Sequence, residues 1–439
     1  MKLFFVLIIL FFFNNCSFDN KTGIWKDDNS IENIADSPFK DFKTISNSKE
    51  IFGKVISLDK NHIFRLSKPV KNINWKENNY NSSNNFQNIQ YNNINQLIFQ
   101  SKKLTKHKVG KLLFDKDNLI LNDKKGNLII YSVNKNKIIS KFNFYKNKYK
   151  NLKKNLNLII EKDIIYVSDN IGYLYAYNYN SNSIIWAQDF KIPFKSNLKI
   201  FNNTIIAANH KNNIFFINKI NGEIIKFIPT EETIVTNQFQ NSFSINGNSL
   251  FFLNSFGSFY SINLNLKRVD WFINLNQTTD LTTSNLFYGE QIVSFKNRAV
   301  VASNQSTYLI DAQTGSIVRK NNFLSNLKPI INNEYVFYLT KNDFLIASDL
   351  KTGNILYSYN IKKKIAEFLD TKKKIQFDSF VLSNNKILIF LNKSFIAQVN
   401  INGELEEVYK LPSKIKTKPI FINGSILYLD FKNKLKILD

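Results

Sequence analysis

Apolar and polar positions follow one phrase along most of the chain: a turn, an apolar run, a second turn and another apolar run, returning about every 44 residues. The clearest copy is GYLYAYNYNSNSIIW, Gly172 to Trp186; related copies begin at Gly126, Gly257 and Ser306. The first turns of successive copies fall at Gly126, Gly172, Asn213, Gly257, Gln305, Asn342, Asn392 and Asn433. Within a copy, the runs are rich in Ile, Tyr, Val and Trp and are split by Asn, Asp, Gly and Ser, as in Asp163 to Phe190, which reads as strands. No stretch of the repeats holds a 3.6-residue apolar period for four turns. The second turn is often Asn-Gly or Thr-Gly (Asn221-Gly222, Thr314-Gly315, Thr352-Gly353, Asn402-Gly403), the composition of a tight hairpin between a third and a fourth strand. A period of this length made of strands predicts four-stranded propeller blades.

Counting the strands shows how the ring closes. The eighth unit, Pro419 to Asp439, ends after three strands and would leave an open sheet edge. Gln96 to Leu104, QLIFQSKKL, resembles the other fourth strands yet precedes the first full unit. The predicted fold is therefore all-β: an eight-bladed propeller over residues 72–439, its last blade completed by an N-terminal strand. Within it Glu77 to Asn95, rich in Asn and Ser, reads as a long surface connection.

The N-terminus is different in kind. MKLFFVLIILFFFNNC carries an apolar run, Leu3 to Phe13, too short for the roughly 20 residues of a membrane span but suited to a secretory signal over residues 1–15. Cys16, the chain's single cysteine, reads as the lipid-accepting residue of a bacterial lipoprotein, although Phe13, Asn14 and Asn15 are larger than the residues usual before such a cysteine. Ser17 takes the place of the aspartate that commonly retains lipoproteins in the inner membrane, which favours the outer membrane. Residues 16–71 read as a largely irregular tether, dominated from Asp19 to Glu50 by Asp, Asn, Ser and Lys.

Charge changes this picture little. A net charge of +25 invites a nucleic-acid reading, but only four of the 59 basic residues are arginine (Arg65, Arg268, Arg298 and Arg319), and the lysines are scattered through turns and strand edges. A general Lys, Asn and Ile bias accounts for it. Lys362 to Lys364 and Lys372 to Lys374 read as the solvated flanks of a loop between the sixth and seventh blades. One cysteine excludes an intramolecular disulfide, and His62, His107 and His210 lack metal-ligand spacing. No catalytic motif and no metal or cofactor site is nominated.

The phrase Gly-x-Leu-Tyr-Ala, turn, Ile-x-Trp resembles the PQQ-type propeller repeat. A lipoprotein with eight such repeats closed by its N-terminal strand resembles the BamB-like family over about Asn72 to Asp439, and Trp75 followed by NNYNSSNN resembles a lead-in segment of that family. Only Trp186 and Trp271 fill the usual blade tryptophan position. The resemblance implies a non-enzymatic scaffold on the periplasmic face of the outer membrane, a monomeric subunit of a larger complex without cofactor. Its implied partners are the POTRA domains of the barrel-inserting subunit and nascent outer-membrane proteins. It places docking residues in the connections Thr230 to Phe243 and Asn274 to Leu286, here Asn237, Gln238, Phe239 and Asp280. Two alternatives stay open: a propeller that binds another protein or a glycan, and a quinoprotein dehydrogenase, whose vicinal disulfide a single cysteine cannot form.

Overall fold

The computed structural model describes residues 52–439 except 146–148, 150, 233–237, 277–285, 304–305, 326, 372–374 and 392–393, together with 16–18 and 25–27. The chain divides into two units, residues 1–50 and 51–439. In the first, Cys16–Phe18 and Trp25–Asp27 pair antiparallel, with Cys16 opposite Asp27. The second holds eight four-stranded antiparallel sheets arranged as blades of a propeller.

Seven blades follow chain order from the channel outward: residues 109–143, 156–189, 199–228, 242–274, 293–321, 330–360 and 377–410. The eighth combines Ile420–Ile422, Ser425–Leu429 and Lys434–Leu438 with Leu97–Lys103 as its outer strand. Leu97 lies opposite Leu438 and Lys103 opposite Lys434, so the N-terminal strand closes the ring as its pattern predicts. Burial follows position in the blade. In the first, the third strand Asn127–Ser132 is almost wholly buried between neighbouring blades, while the outer strand Lys137–Asn143 is largely exposed and carries Lys137 and Lys141 among its apolar residues. Lysines on that outer edge discourage pairing with a second chain.

Two local devices repeat. At the turn between second and third strands, a polar side chain takes up backbone N–H groups: buried Asp169 accepts from Ile171, Gly172 and Tyr173 through one oxygen and from the Tyr145 hydroxyl through the other. Asp123, Asn209, Asn254 and Asp430 do the same in their blades. At the hairpin between third and fourth strands, the next blade docks on a large side chain of the previous outer strand. Gly315 (φ +76°) lies so close to Trp271 that a Cβ there would come within 2.7 Å of the indole, and Trp186 donates its N–H to the Lys219 carbonyl at 3.1 Å.

The expected loop after the sixth blade begins instead as a helix, Ile361–Phe368. Asn360 caps it, accepting from the Lys363 N–H at 2.9 Å, and Ile361 and Ile365 anchor it in the core. Lys362 pairs with Asp343 at 2.7 Å, and Lys364 lies over the Tyr359 ring. Both are held against the blade, contrary to the solvated-flank reading; Lys372 to Lys374 lie outside the described residues.

The largest departure from expectation concerns residues 72–92. The presumed surface connection, Glu77 to Asn95, together with the residues just before it, instead sinks Asn84, Asn85, Asn88, Ile89 and Tyr91 into one end of the central channel, and residues 72–92 are hydrogen-bonded or ion-paired to every blade. Trp75 exchanges two backbone bonds with Phe114, and the Lys76 carbonyl accepts from Ile160. Glu77 pairs with Lys199 at 2.5 Å, and the Ser82 and Ser83 carbonyls accept from Ile245 and Ser294. Asn84 donates to the carbonyls of Phe243 (2.7 Å) and Ile292 (2.8 Å), while Asn85 forms an amide pair with Ile331. Ile89 donates to Leu382, and Asn72 accepts from Asn423. Ahead of this plug, residues 52–71 lie against the fifth and sixth blades: Phe52 donates to the Asn322 carbonyl, Ile56 pairs with Ser358 on an outer strand edge, and Ser67 donates its N–H to Asn332.

Two measurements test these contacts. Asn84→Ala leaves the buried Ile292 carbonyl without a donor, removes one of two donors from the Phe243 carbonyl and takes an acceptor from Lys199, so chemical denaturation should show a loss of about 1–3 kcal/mol. Gly315→Ala should cost about 1–3 kcal/mol. It should exceed Gly247→Ala, a left-handed glycine with nothing within 4 Å of its Cβ position; equal losses would rule out the Trp271 contact as the cause.

Candidate functional site

With one end plugged, the channel becomes a cavity of about 390 Å³ open at the other end. Its floor is the plug, through Trp75, Asn78, Asn79 and Phe86; its wall is the start of the inner strands and the connections that lead into them. Blade symmetry defines that wall. Each first hairpin turn carries a left-handed residue: Lys116, Lys162, Asn202, Gly247, Lys296, Asn333, Asn384 and Asn423. Five residues before each lies Lys111, Asn157, Asn197, Ser242, Gln291, Lys328, Ser379 or Lys418, a wholly polar set of equivalent positions. Asn197 and Ser242 are spent on blade-to-blade bonds, Asn197 to Phe243 and Ser242 to the Ile292 N–H. The three lysines face the cavity.

Their electrostatics are strained. Burial, helped by the neighbouring charge of Lys418, holds Lys111 down at about 8, and burial with three nearby lysines pushes Lys328 well below its ordinary value. Lys328 donates to the Asn79 and Asn84 carbonyls and sits 3.7 Å above the Phe86 ring. Lys111 has one long bond, 3.3 Å, to Asn79. Lys199 is neutralised by Glu77 and also donates to Asn81 and Asn84. Glu290, raised by burial, is the remaining carboxyl in the group.

The sequence-predicted residues fall around this mouth in part. Gln238 is exposed at its rim, and Phe239 is buried beside Phe287 and Tyr288, fixing the connection against the fourth and fifth blades. Asn237 and Asp280 lie outside the described residues, and Cys16 belongs to the separate N-terminal pair of strands. Gln238 and Phe239 also border a second pocket with Lys195 and His210. His210 is half-buried there, its pKa lowered by burial and by Lys195, which itself is held by burial at about 8. Sequence reasoning missed Lys328 and Lys418, although their blades share a legible phrase, Lys-Pro-Ile-Ile-Asn-Asn and Lys-Pro-Ile-Phe-Ile-Asn. Among the described residues no three His, Cys, Asp or Glu side chains gather as a metal site would, and no helix is long and apolar enough to cross a membrane.

Eight PQQ-type blades, a terminal strand that closes the ring and an internally plugged channel define the class: an eight-bladed propeller whose open face carries its long connections. The chain belongs to the family described as outer membrane protein assembly factor BamB, whose model matches residues 124–359. Among solved structures, BamB from Moraxella catarrhalis superposes with a TM-score of 0.62 at 11% identity, covering 78% of this chain and 99% of that one. The quinohemoprotein alcohol dehydrogenase from Comamonas testosteroni gives 0.61 at 9% identity, over 83% of this chain and 80% of that one. The computationally designed Ika8 protein gives 0.59 at 11%, over 78% and 99%. At such identities these likenesses speak for the fold alone. No curated protein sequence matches the chain.

The depressed lysines fix the sign of a pH effect. Lys111 and Lys195 titrate at about 8 in the folded protein and near 10.4 when unfolded. Between those values the unfolded chain binds more protons, so their destabilisation is fully present below pH 8 and is relieved as pH rises toward 10. Tyr80 and Tyr166, pushed up to about 12 by burial, reverse the trend above about 10, where unfolded tyrosines ionise. The melting temperature should therefore peak near pH 10, and Lys111→Met should raise it at pH 7 while flattening the climb; a variant with the parental slope would refute the assignment.

Proposed function

We propose that this protein is a non-enzymatic scaffold of outer-membrane β-barrel assembly, held to the periplasmic face of the outer membrane by a lipid on Cys16 and docked on POTRA domains of the barrel-inserting subunit. The observation that carries the reading is the family match over residues 124–359. It spans the first six blades almost entirely and includes both connections in which such proteins are expected to dock. In those connections Gln238 supplies an exposed amide, and buried Phe239 positions it by packing on Phe287 and Tyr288. Asn237 and Asp280 complete the proposed surface. A scaffold role suits this mouth: its described side chains offer shape, amides and positive charge.

The decisive experiment is affinity purification of the full-length protein from detergent-solubilised membranes of its own cell. The barrel-inserting subunit should co-purify, and Gln238→Ala combined with Asp280→Ala should reduce its recovery at unchanged protein level. Recovery of another protein or a glycan in place of that subunit would sink the proposal. Cys16→Ser should shift the protein from the membrane to the soluble fraction; unchanged retention would overturn the lipid anchor. An absorbance titration with pyrroloquinoline quinone and Ca²⁺ should show no saturable change, and a stoichiometric one would reject the non-enzymatic reading.

A further inference from the structure

We propose that the open end of the channel is a binding site for a small dianion, a molecule with two carboxylate groups or one phosphate, held between Lys111, Lys328 and Lys418. This goes beyond the scaffold function and does not depend on it.

The inference begins with the ring of equivalent positions. Polar residues there mostly serve the ring itself, as Asn197 and Ser242 do in bonding the next blade. The lysines of the first, sixth and eighth blades are different. Lys418 has no hydrogen-bond acceptor among the described residues, and Lys111 has only the long contact to Asn79. Lys328 rests on two plug carbonyls and an aromatic face, partners that carry no charge. These three lysines, with Lys416 beside them, line one cavity whose described lining includes a single carboxyl, Glu290; Asp378 borders the adjoining pocket, and the Lys199–Glu77 pair beneath is internally balanced. Lysines thus outnumber carboxyls four to one in the described lining of the cavity.

Lys111 and Lys328 are drawn partly out of water while Lys418 stays exposed at the rim, and like charges gathered in this way repel unless something answers them. Among the described lining residues Glu290 is the carboxyl that answers them; Lys416 on the same rim turns to Asn433 at 2.7 Å, and Tyr288 adds only a neutral ring. A dianion would neutralise the excess and gain charge-assisted hydrogen bonds in a partly desolvated site. The volume, about 390 Å³, accommodates a small organic acid, and Tyr288, Leu327 and Pro419 supply apolar wall for its carbon skeleton. The opening lies opposite the plug, so a ligand can enter without disturbing the hydrogen bonds that hold the ring.

The test is isothermal titration and thermal melting of the full-length mature protein with succinate and with inorganic phosphate, against acetate at equal ionic strength. Saturable binding and a raised melting temperature are expected with at least one dianion and not with acetate; which dianion binds tells carboxylate from phosphate. The charged groups around the ligand are Lys111 on the first blade, Lys328 ahead of the sixth, Lys416 and Lys418 ahead of the eighth, Glu290 ahead of the fifth, and the Lys199–Glu77 pair. Binding should weaken from pH 7 to pH 9 as Lys111 loses its proton. Lys111→Gln combined with Lys418→Gln should weaken it by about tenfold or more. Glu290→Gln should strengthen it, a change of opposite sign that a merely unfolded variant cannot produce. Without ligand, the lysine variant should melt no lower than the parent, since it relieves repulsion. No saturable response to either dianion, or equal affinity in parent and lysine variant, overturns the proposal.

Discussion

The structure depends on satisfying eight strand edges that meet at one axis. The inner strand of each blade pairs outward with its neighbour and turns its other edge to the channel, where buried N–H and C=O groups need partners. No regular strand can pair with eight edges arranged around a ring. An Asn- and Ser-rich segment can, because an asparagine side chain is a peptide group on a short arm and can reach a strand that the backbone cannot follow. Asn85 shows this directly, giving and taking one hydrogen bond with Ile331 as a paired residue would, and Asn84 spans two blades with one amide nitrogen. Asn84 also adopts a left-handed backbone (φ 56°), which asparagine tolerates better than branched residues do. Lys199, its side chain fully buried, is held by Glu77, Asn81 and Asn84 of the same segment, so breaking the plug would strand a buried charge.

The blades are held to one another by a second, simpler rule. At four junctions an outer strand offers a large side chain to the hairpin of the next blade, and the hairpin answers with a glycine that cannot clash. Tryptophan fills the role at Trp186 and Trp271, but Arg319 against Gly353 and Tyr359 against Gly403 meet the same need. What the contact requires is a long, flat or extended surface beside a bare backbone. The variation that weakened the family's tryptophan pattern here is therefore substitution within one packing geometry.

These two rules explain what was legible in the sequence. Strand number, hairpin glycines and the N-terminal closing strand were readable, because each is written as a local pattern that recurs and must fit its neighbours. The plug was not. Its residues 78–85 have the composition of a solvated loop, since asparagines that satisfy buried backbone groups look the same as asparagines that satisfy water. The helix at Ile361–Phe368 escaped for a related reason: two buried isoleucines four residues apart are too short a pattern to distinguish from a charged loop. The candidate site was half visible. Gln238 and Phe239, nominated through family resemblance, lie at the mouth, while Lys328 and Lys418 stood in a repeated Lys-Pro-Ile phrase whose meaning depends on knowing which end of the inner strand meets the channel.

Both closing elements, the plug at residues 72–92 and the outer strand Leu97–Lys103, precede the first blade, and this couples the ends of the chain. Leu97 pairs with Leu438, so the last blade cannot be completed until the whole chain is present. The plug likewise needs inner strands drawn from all eight blades before its polar groups are satisfied. Closing contacts across so much sequence is entropically expensive and is rewarded only at the end. Repeat units that touch only their neighbours would by themselves loosen one at a time. A segment that binds every unit at once opposes that, because releasing any single blade exposes part of the plug and weakens its hold on the other seven. The Asn-rich run thus turns a series of similar blades into one cooperative ring, and leaves the opposite mouth as the face where side chains remain unspent.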